Sequence, residues 1–266
     1  MKSNFVVGAN VHANGIRQHY LRYGGHGRPL ILVPGITSPA ITWGFVAERL
    51  ATLFDVYVLD VRGRGLSECG PLLDYGIDAC ADDITCFVAE LGLTLPIVLG
   101  HSMGARHVIR AAARGATFHT AVLVDPPVSG PSRRAYPVKL PWYIESMALA
   151  RKGVNVQTLR SFTPTWTDGQ IALRAEWLHT CDERAVITSY RSFHEDDIHK
   201  DIAALTLRTL LVGAERGDVI RDDDVKEIRE LNSSLEFTRV LNAGHMIPWD
   251  NIEGFFDAID PFLTSD

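Results

Sequence analysis

The stretch Pro96-Ile-Val-Leu-Gly-His-Ser-Met-Gly104 constrains this chain more than any other. A short apolar run ends in Gly100-His101-Ser102-Met103-Gly104, and an alanine-rich helical segment follows at once. Strand, sharp turn and helix in that order form a nucleophile elbow, in which a strained backbone presents the serine at the tip. The residues flanking such a turn must be small, and glycines at 100 and 104 let the strand and the helix approach each other.

The rest of the chain supplies the framework an elbow needs. Leu30–Val33, Val56–Leu59, Ile97–Leu99, Ala121–Val124 and Thr209–Val212 read as short, continuously apolar strands of the buried parallel type, with a further strand at 235–241. Asn14-Gly15 predicts a two-residue hairpin turn between Val11–Ala13 and Ile16–Tyr23. Helices are expected from Ser38 to about Leu53, with Ser38 as N-cap and Pro39 in the first turn, and then at 77–91, 103–114, 223–231 and 252–263. From Val128 to about Leu205 the short strands cease, and a stretch rich in Trp, Tyr, His and Arg reads as several helices, including 142–151 and 169–179. Strand–helix alternation predicts a mostly parallel eight-stranded sheet flanked by helices. The core is expected from 1–127 and 206–266, with 128–205 inserted after strand six as a helical cap.

A chain of 266 residues, 46% hydrophobic, can bury such a core. Its net charge of −6 carries no basic face for nucleic acid or an anionic membrane. No apolar segment is long enough for a membrane span, and Met1–Gly15 lacks the pattern of a signal peptide. Cys69, Cys80, Cys86 and Cys181 form no Cys-x-x-Cys pair, so reduced thiols and a cytoplasmic location are expected. His194-Glu-Asp-Asp-Ile-His199 lacks the i, i+4 spacing of a helical zinc site and reads as a solvated helix end, so neither metal nor cofactor is expected.

A serine hydroxyl needs a base, and Asn242-Ala243-Gly244-His245 places a histidine in a glycine-bounded loop beyond the last strand. The order Ser, acid, His suits this architecture, so Ser102 is the expected nucleophile and His245 its base. His101, inside the elbow, is expected to pack behind them. Two carboxylates qualify as the acid: Asp125, at the end of Ala121–Val124, and Asp218, in the loop after Leu210–Gly213. Asp125 is favoured, with Asp218 as the alternative. Backbone N–H groups of Met103, which opens the helix, and Ile36, in the loop after Leu30–Val33, are the expected oxyanion donors.

Together these features resemble the α/β-hydrolase superfamily along essentially the whole chain. Asp60-Val-Arg-Gly-Arg-Gly-Leu-Ser67 is similar to that family's Asp-x-Arg-Gly-x-Gly-x-Ser turn. Two positions depart from its pattern. Pro34-Gly35 stands where His-Gly is usual, which leaves backbone donation by Ile36 intact. Gly213-Ala-Glu-Arg216 puts an arginine where the acid after the seventh strand usually lies, and some members instead carry the acid after strand six, as Asp125 would be.

Within the superfamily, Val33–Gly44, Val124–Pro131, Arg174–His179 and Gly244–Asp250 resemble the N-formyl amide hydrolases of aerobic nicotinate degradation. That resemblance implies removal of a formyl group from nitrogen through a formyl-serine, on a small anionic amide. Arg133, Arg134, Tyr136 and Trp142 are the expected substrate contacts, with Arg174, Trp177 and His179 as further candidates. The competing readings are a carboxylesterase, a carbon–carbon bond hydrolase of ring-cleavage products, and a non-catalytic ligand-binding protein on the same scaffold.

Overall fold

Asn14 and Gly15 both adopt left-handed backbone, with φ of 49° and 72°, so the chain reverses in two residues between β1 (Phe5–Ala13) and β2 (Ile16–Tyr23). These strands belong to a computed structural model that describes residues 3–153 and 155–265. β2 pairs antiparallel with β4 (Asp55–Leu59), and β3 (Pro29–Val33) lies parallel between β4 and β5 (Ile97–His101). β6 (Thr120–Val124), β7 (Arg208–Ala214) and β8 (Glu236–Val240) extend the parallel part, giving eight strands in the order β1-β2-β4-β3-β5-β6-β7-β8.

The central strands are largely apolar and buried along nearly their whole length because both faces are covered. Ile31, Val33, Tyr57, Leu59 and Val98 pack on one side with α2 (Ile77–Glu90) and α3 (Met103–Ala113). Leu30, Leu32, Val56, Val58 and Leu99 pack on the other. That second face is covered by α1 (Gly44–Leu50) and by the last helix of the chain, Ile252–Thr264. Between β6 and β7 run α4 (Leu140–Arg151), α5 (Val156–Arg160), α6 (Asp168–Trp177), α7 (Glu183–Glu195) and α8 (His199–Ala203). After β7 come α9 (Asp222–Leu231), α10 (Ile247–Asp250) and that last helix, α11 (Ile252–Thr264). No helix among the described residues is long and apolar enough to cross a membrane.

The segment expected as one helix from Ser38 to Leu53 is a 3₁₀ turn at Ala40–Trp43 followed by α1, which ends at Leu50. Ser38 does not cap it. The buried carboxylate of Asp60 accepts the Ala40 N–H at 2.6 Å instead, so a long-range partner replaces the local cap. Asp60 also accepts the Leu66 N–H at 3.0 Å and faces Nδ1 of His19 at 2.7 Å. Gly65 has a φ of 57°, and a Cβ there would fall 2.1 Å from Asp60 Oδ1. The turn around Gly65 therefore wraps a carboxylate, while Arg62 pairs with Asp83 of α2 at 2.5 and 2.6 Å. Asp60→Ala leaves the buried Ala40 N–H and His19, and the Leu66 N–H, without their acceptor and should destabilise the fold by about 3–5 kcal/mol. Urea denaturation measures this, and a change below about 1 kcal/mol would refute the role of Asp60 as the hub of this turn.

Candidate active site

Ser102 connects the end of β5 to the first turn of α3 with φ of 53° and ψ of −118°, a conformation that L-residues adopt only under constraint. Its N–H donates to Val124 O at 2.8 Å. A Cβ on Gly104 would lie 2.0 Å from Val33 O, and one on Gly100 2.5 Å from Ala105 Cα. Only glycine lets α3 sit this close to the strands and hold the serine at the tip.

His245, in the loop after β8, reaches back to this turn. Its Nε2 is 2.9 Å from Ser102 Oγ, and its Nδ1 donates to Asp125 Oδ2 at 2.6 Å. Asp125 is 1% exposed; its N–H donates to Val212 O at 2.8 Å, and its other oxygen accepts the Ala214 N–H at 3.3 Å. Both anchors belong to β7. Asp218 does not join them: its side chain is 65% exposed and accepts a bond from Arg221 at 3.1 Å. The N–H groups of Glu215 and Arg216 donate to Val240 O and Ala243 O, which ties the loop after β7 to β8 and the segment that follows it.

His101 donates from Nε2 to the carbonyl of His245 at 2.9 Å, which fixes the backbone of that residue. Burial, reinforced by the neighbouring His245, pushes its pKa down to about 3, so the ring stays neutral and holds the Nε2 proton. Trp43 packs on the His101 ring, and Trp249 packs edge-on against Trp43.

Met103 is the first residue of α3, so its N–H has no acceptor within the helix. Ile36 and Ser102 line one cavity with Gly35 and His245. Behind Ile36 and Met103 lies Arg64, which the sequence reading passed over. This fully buried guanidinium donates from Nε to Ile36 O at 3.1 Å and approaches Met103 Sδ at 3.4 Å. It also donates to Ala185 O and Ser189 Oγ of α7, at 3.1 and 2.9 Å. A second arginine within the Asp60–Ser67 turn was the only trace of it in the sequence.

The cavity measures about 210 Å³ and is walled chiefly by Trp142, Tyr143, Phe162, Trp166 and Met246. Its only arginine or lysine among the described residues is Arg174. Arg174 is 6% exposed, donates to Thr37 O and Thr37 Oγ1 at 3.2 Å each, and has no protein partner for Nε. Its guanidinium carbon lies 5.5 Å from the Trp142 ring and 5.9 Å from that of Trp166. Burial lowers its pKa, yet arginine stays charged in proteins.

Of the expected substrate contacts, Trp142 lines this cavity. Tyr136 is not among the cavity's walls, but its hydroxyl lies 3.3 Å from Nε2 of His245, which is. Arg133 and Arg134 do not reach it. Arg133 pairs with Glu227 at 2.5 and 2.7 Å, and Arg134 with Asp224, so both tie the segment after β6 to α9. Trp177 and His179 lie outside the cavity as well. His194 and His199 correct the expectation of a solvated helix end. His194 Nε2 accepts the Tyr136 N–H at 3.3 Å, and His199 is buried.

The two carboxylates can be separated without knowing a substrate. Asp125→Asn removes the acceptor that holds the imidazole tautomer and should slow labelling of Ser102 by a fluorophosphonate by about 10⁴-fold. Asp218→Asn should leave the labelling rate within about twofold, because an exposed pair contributes little. Fast labelling of the Asp125 variant would overturn this geometry as the working one.

Comparison with known proteins agrees with the architecture. The chain is 62% identical over 262 residues to N-formylmaleamate deformylase of Pseudomonas putida strain KT2440, covering 98% of each. A solved structure of the N-formylmaleamic acid deformylase of Pseudomonas putida S16 superposes with a TM-score of 0.92 at 57% identity, over 95% of this chain and 100% of that one. E-2-(acetamidomethylene)succinate hydrolase shares the fold, with a TM-score of 0.81 at 22% identity over 98% of this chain and 100% of that one. Residues 30–258, which carry the elbow, Asp125 and His245, match the alpha/beta hydrolase family, and the chain belongs to it.

Proposed function

We propose that this chain hydrolyses N-formylmaleamate to maleamate and formate through a formyl-serine intermediate. The observation that carries this reading is the 62% identity to a deformylase along 98% of both chains. It is supported by the linked Ser102, His245 and Asp125 at the end of a small cavity holding one buried guanidinium.

In the first half-reaction His245 Nε2 takes the Ser102 proton as Oγ attacks the formyl carbon. The oxygen that becomes negative accepts the N–H groups of Ile36 and Met103. Collapse of this adduct expels the amide nitrogen, which takes the proton from His245. Water, with its proton drawn to His245, then attacks the formyl ester and releases formate. Asp125 holds the imidazole in place and stabilises its cationic form throughout.

Arg174 receives the substrate's carboxylate in this reading. It is a buried cation with no carboxylate partner, braced by Thr37 and flanked by Trp142 and Trp166. Arg174 lines the cavity, so a carboxylate bound there would meet its guanidinium. The segment 128–205 acts as the cap over this site, and the reaction belongs in the cytoplasm, where four free thiols persist reduced.

Incubation with N-formylmaleamate should release formate, and Ser102→Ala should abolish the release. Turnover of simple esters with no formate from N-formylmaleamate would reject this substrate while leaving the catalytic geometry in place. Arg174→Gln should raise KM for N-formylmaleamate by roughly 10- to 100-fold, the value of a charge-assisted hydrogen bond, with a much smaller effect on a neutral formyl ester. An unchanged KM would remove Arg174 from substrate binding.

A further inference from the structure

The roles assigned above leave one group at the reacting centre unused: the phenol of Tyr136. Its hydroxyl lies 3.3 Å from His245 Nε2, the atom that exchanges the proton, and 3.2 Å from the hydroxyl of Tyr143. The side chain is held firmly. It is 2% exposed, its ring packs edge-on against Phe193 and Tyr190, and its backbone N–H donates to His194 Nε2. Burial pushes its pKa well above the usual tyrosine value and that of Tyr143 up to about 12, so both hydroxyls keep their protons.

Two O–H donors thus face one lone pair. With the Nδ1 proton committed to Asp125, the neutral imidazole offers a single acceptor at Nε2, and Ser102 at 2.9 Å is the nearer donor. Once the Ser102 proton has moved to Nε2, that nitrogen accepts nothing. The Tyr136 proton then turns either to Tyr143 Oη, 3.2 Å away, or to an acceptor on a bound molecule beside the atom that His245 protonates. Tyr143 lines the cavity and can donate to Tyr136 Oη, which strengthens the donation Tyr136 makes in turn.

We propose that Tyr136 is a catalytic residue that hydrogen-bonds the leaving half of the substrate, at the carbonyl oxygen next to the departing nitrogen, with Tyr143 orienting it. This rests on the deformylase reading. When the tetrahedral adduct collapses, the formyl C=O re-forms and the C–N bond breaks. The electron pair passes to nitrogen and is shared with the adjoining carbonyl oxygen. His245 delivers its proton to nitrogen; Tyr136 donates a hydrogen bond to the oxygen and keeps its own proton. A leaving group without that oxygen gains nothing from the phenol.

The test compares N-formylmaleamate with p-nitrophenyl formate, which has the same acyl group but leaves as a phenolate. Rates are expressed per Ser102 titrated by fluorophosphonate, so misfolded protein does not count. Tyr136→Phe should lower the amide-to-ester ratio of kcat by about 10- to 100-fold, and Tyr143→Phe should lower it less, in the same sense. Should Tyr136→Phe yield no protein that can be labelled, Tyr143→Phe carries the comparison. Equal losses on the two substrates, or no loss on the amide, overturn the proposal alone. Wild-type protein that hydrolyses the ester but not N-formylmaleamate overturns the deformylase reading and this proposal together.

Discussion

The backbone of Ser102 is the point to which the rest of the site is referred. A φ of 53° outside glycine costs on the order of 1–3 kcal/mol, and it persists only where its surroundings over-determine it. Here the constraint is the parallel sheet itself. His101 is in register with Val124, so the first residues beyond β5 and β6 are Ser102 and Asp125. Both have positive φ, and both hand their N–H to the neighbouring strand, Ser102 to Val124 O and Asp125 to Val212 O. Each turn is thus an extension of strand pairing. The separation of nucleophile and acid follows from sheet geometry rather than loop conformation, and His245 needs only to arrive between them.

Buried guanidiniums join the core to the helices between β6 and β7, and they do so through carbonyls. Arg106 of α3 donates to Pro127 O and Ser129 O beyond β6, and to Ser192 O and Asp196 O at the end of α7. Arg64 links the loop that carries Ile36, and Met103 at the start of α3, to the first turn of α7. Burial pushes Arg106 down to about 10, which still leaves it charged at neutral pH. A guanidinium has five donors in a fixed plane and can satisfy several orphan carbonyls at once, which no apolar residue could do. α7 is therefore placed by the groups that shape the nucleophile's surroundings, and it carries Tyr190 and Phe193 against Tyr136.

What could be read from the sequence was what local pattern encodes. The elbow, the buried strands and the Asn14-Gly15 turn are set by neighbours in the chain, and each lies where its pattern places it. His245 was legible because a glycine-bounded loop after the last strand has one destination. Ser38 had the chemistry of a cap, yet Asp60, distant in sequence but near in space, took the Ala40 N–H. Arg133 and Arg134 looked free beside the pocket because Glu227 and Asp224, their partners on α9, lie about ninety residues on. Arg174 and Trp177 share α6 three residues apart, but only Arg174 faces the cavity. No one-dimensional pattern states which side of α6 meets Thr37.

The cavity's composition bears on why one cation sits there at all. An arginine buried without a carboxylate is held at a cost, since removing a charge from water is repaid only by partners of good geometry. Thr37 supplies two neutral acceptors at 3.2 Å, and the faces of Trp142 and Trp166 contribute a weaker attraction. This is enough to keep the side chain ordered and too little to neutralise it. In the proposed reading, an incoming carboxylate finds a donor already fixed, so little ordering remains to oppose binding. The same dry, aromatic wall that raises this cost also sharpens the electrostatics around Ser102 and His245, where a small formyl group must be activated without help from a large substrate. In the proposed reading, charge anchors the substrate at one end and a rigid triad reacts at the other, which is how a cavity of about 210 Å³ selects a short anionic amide.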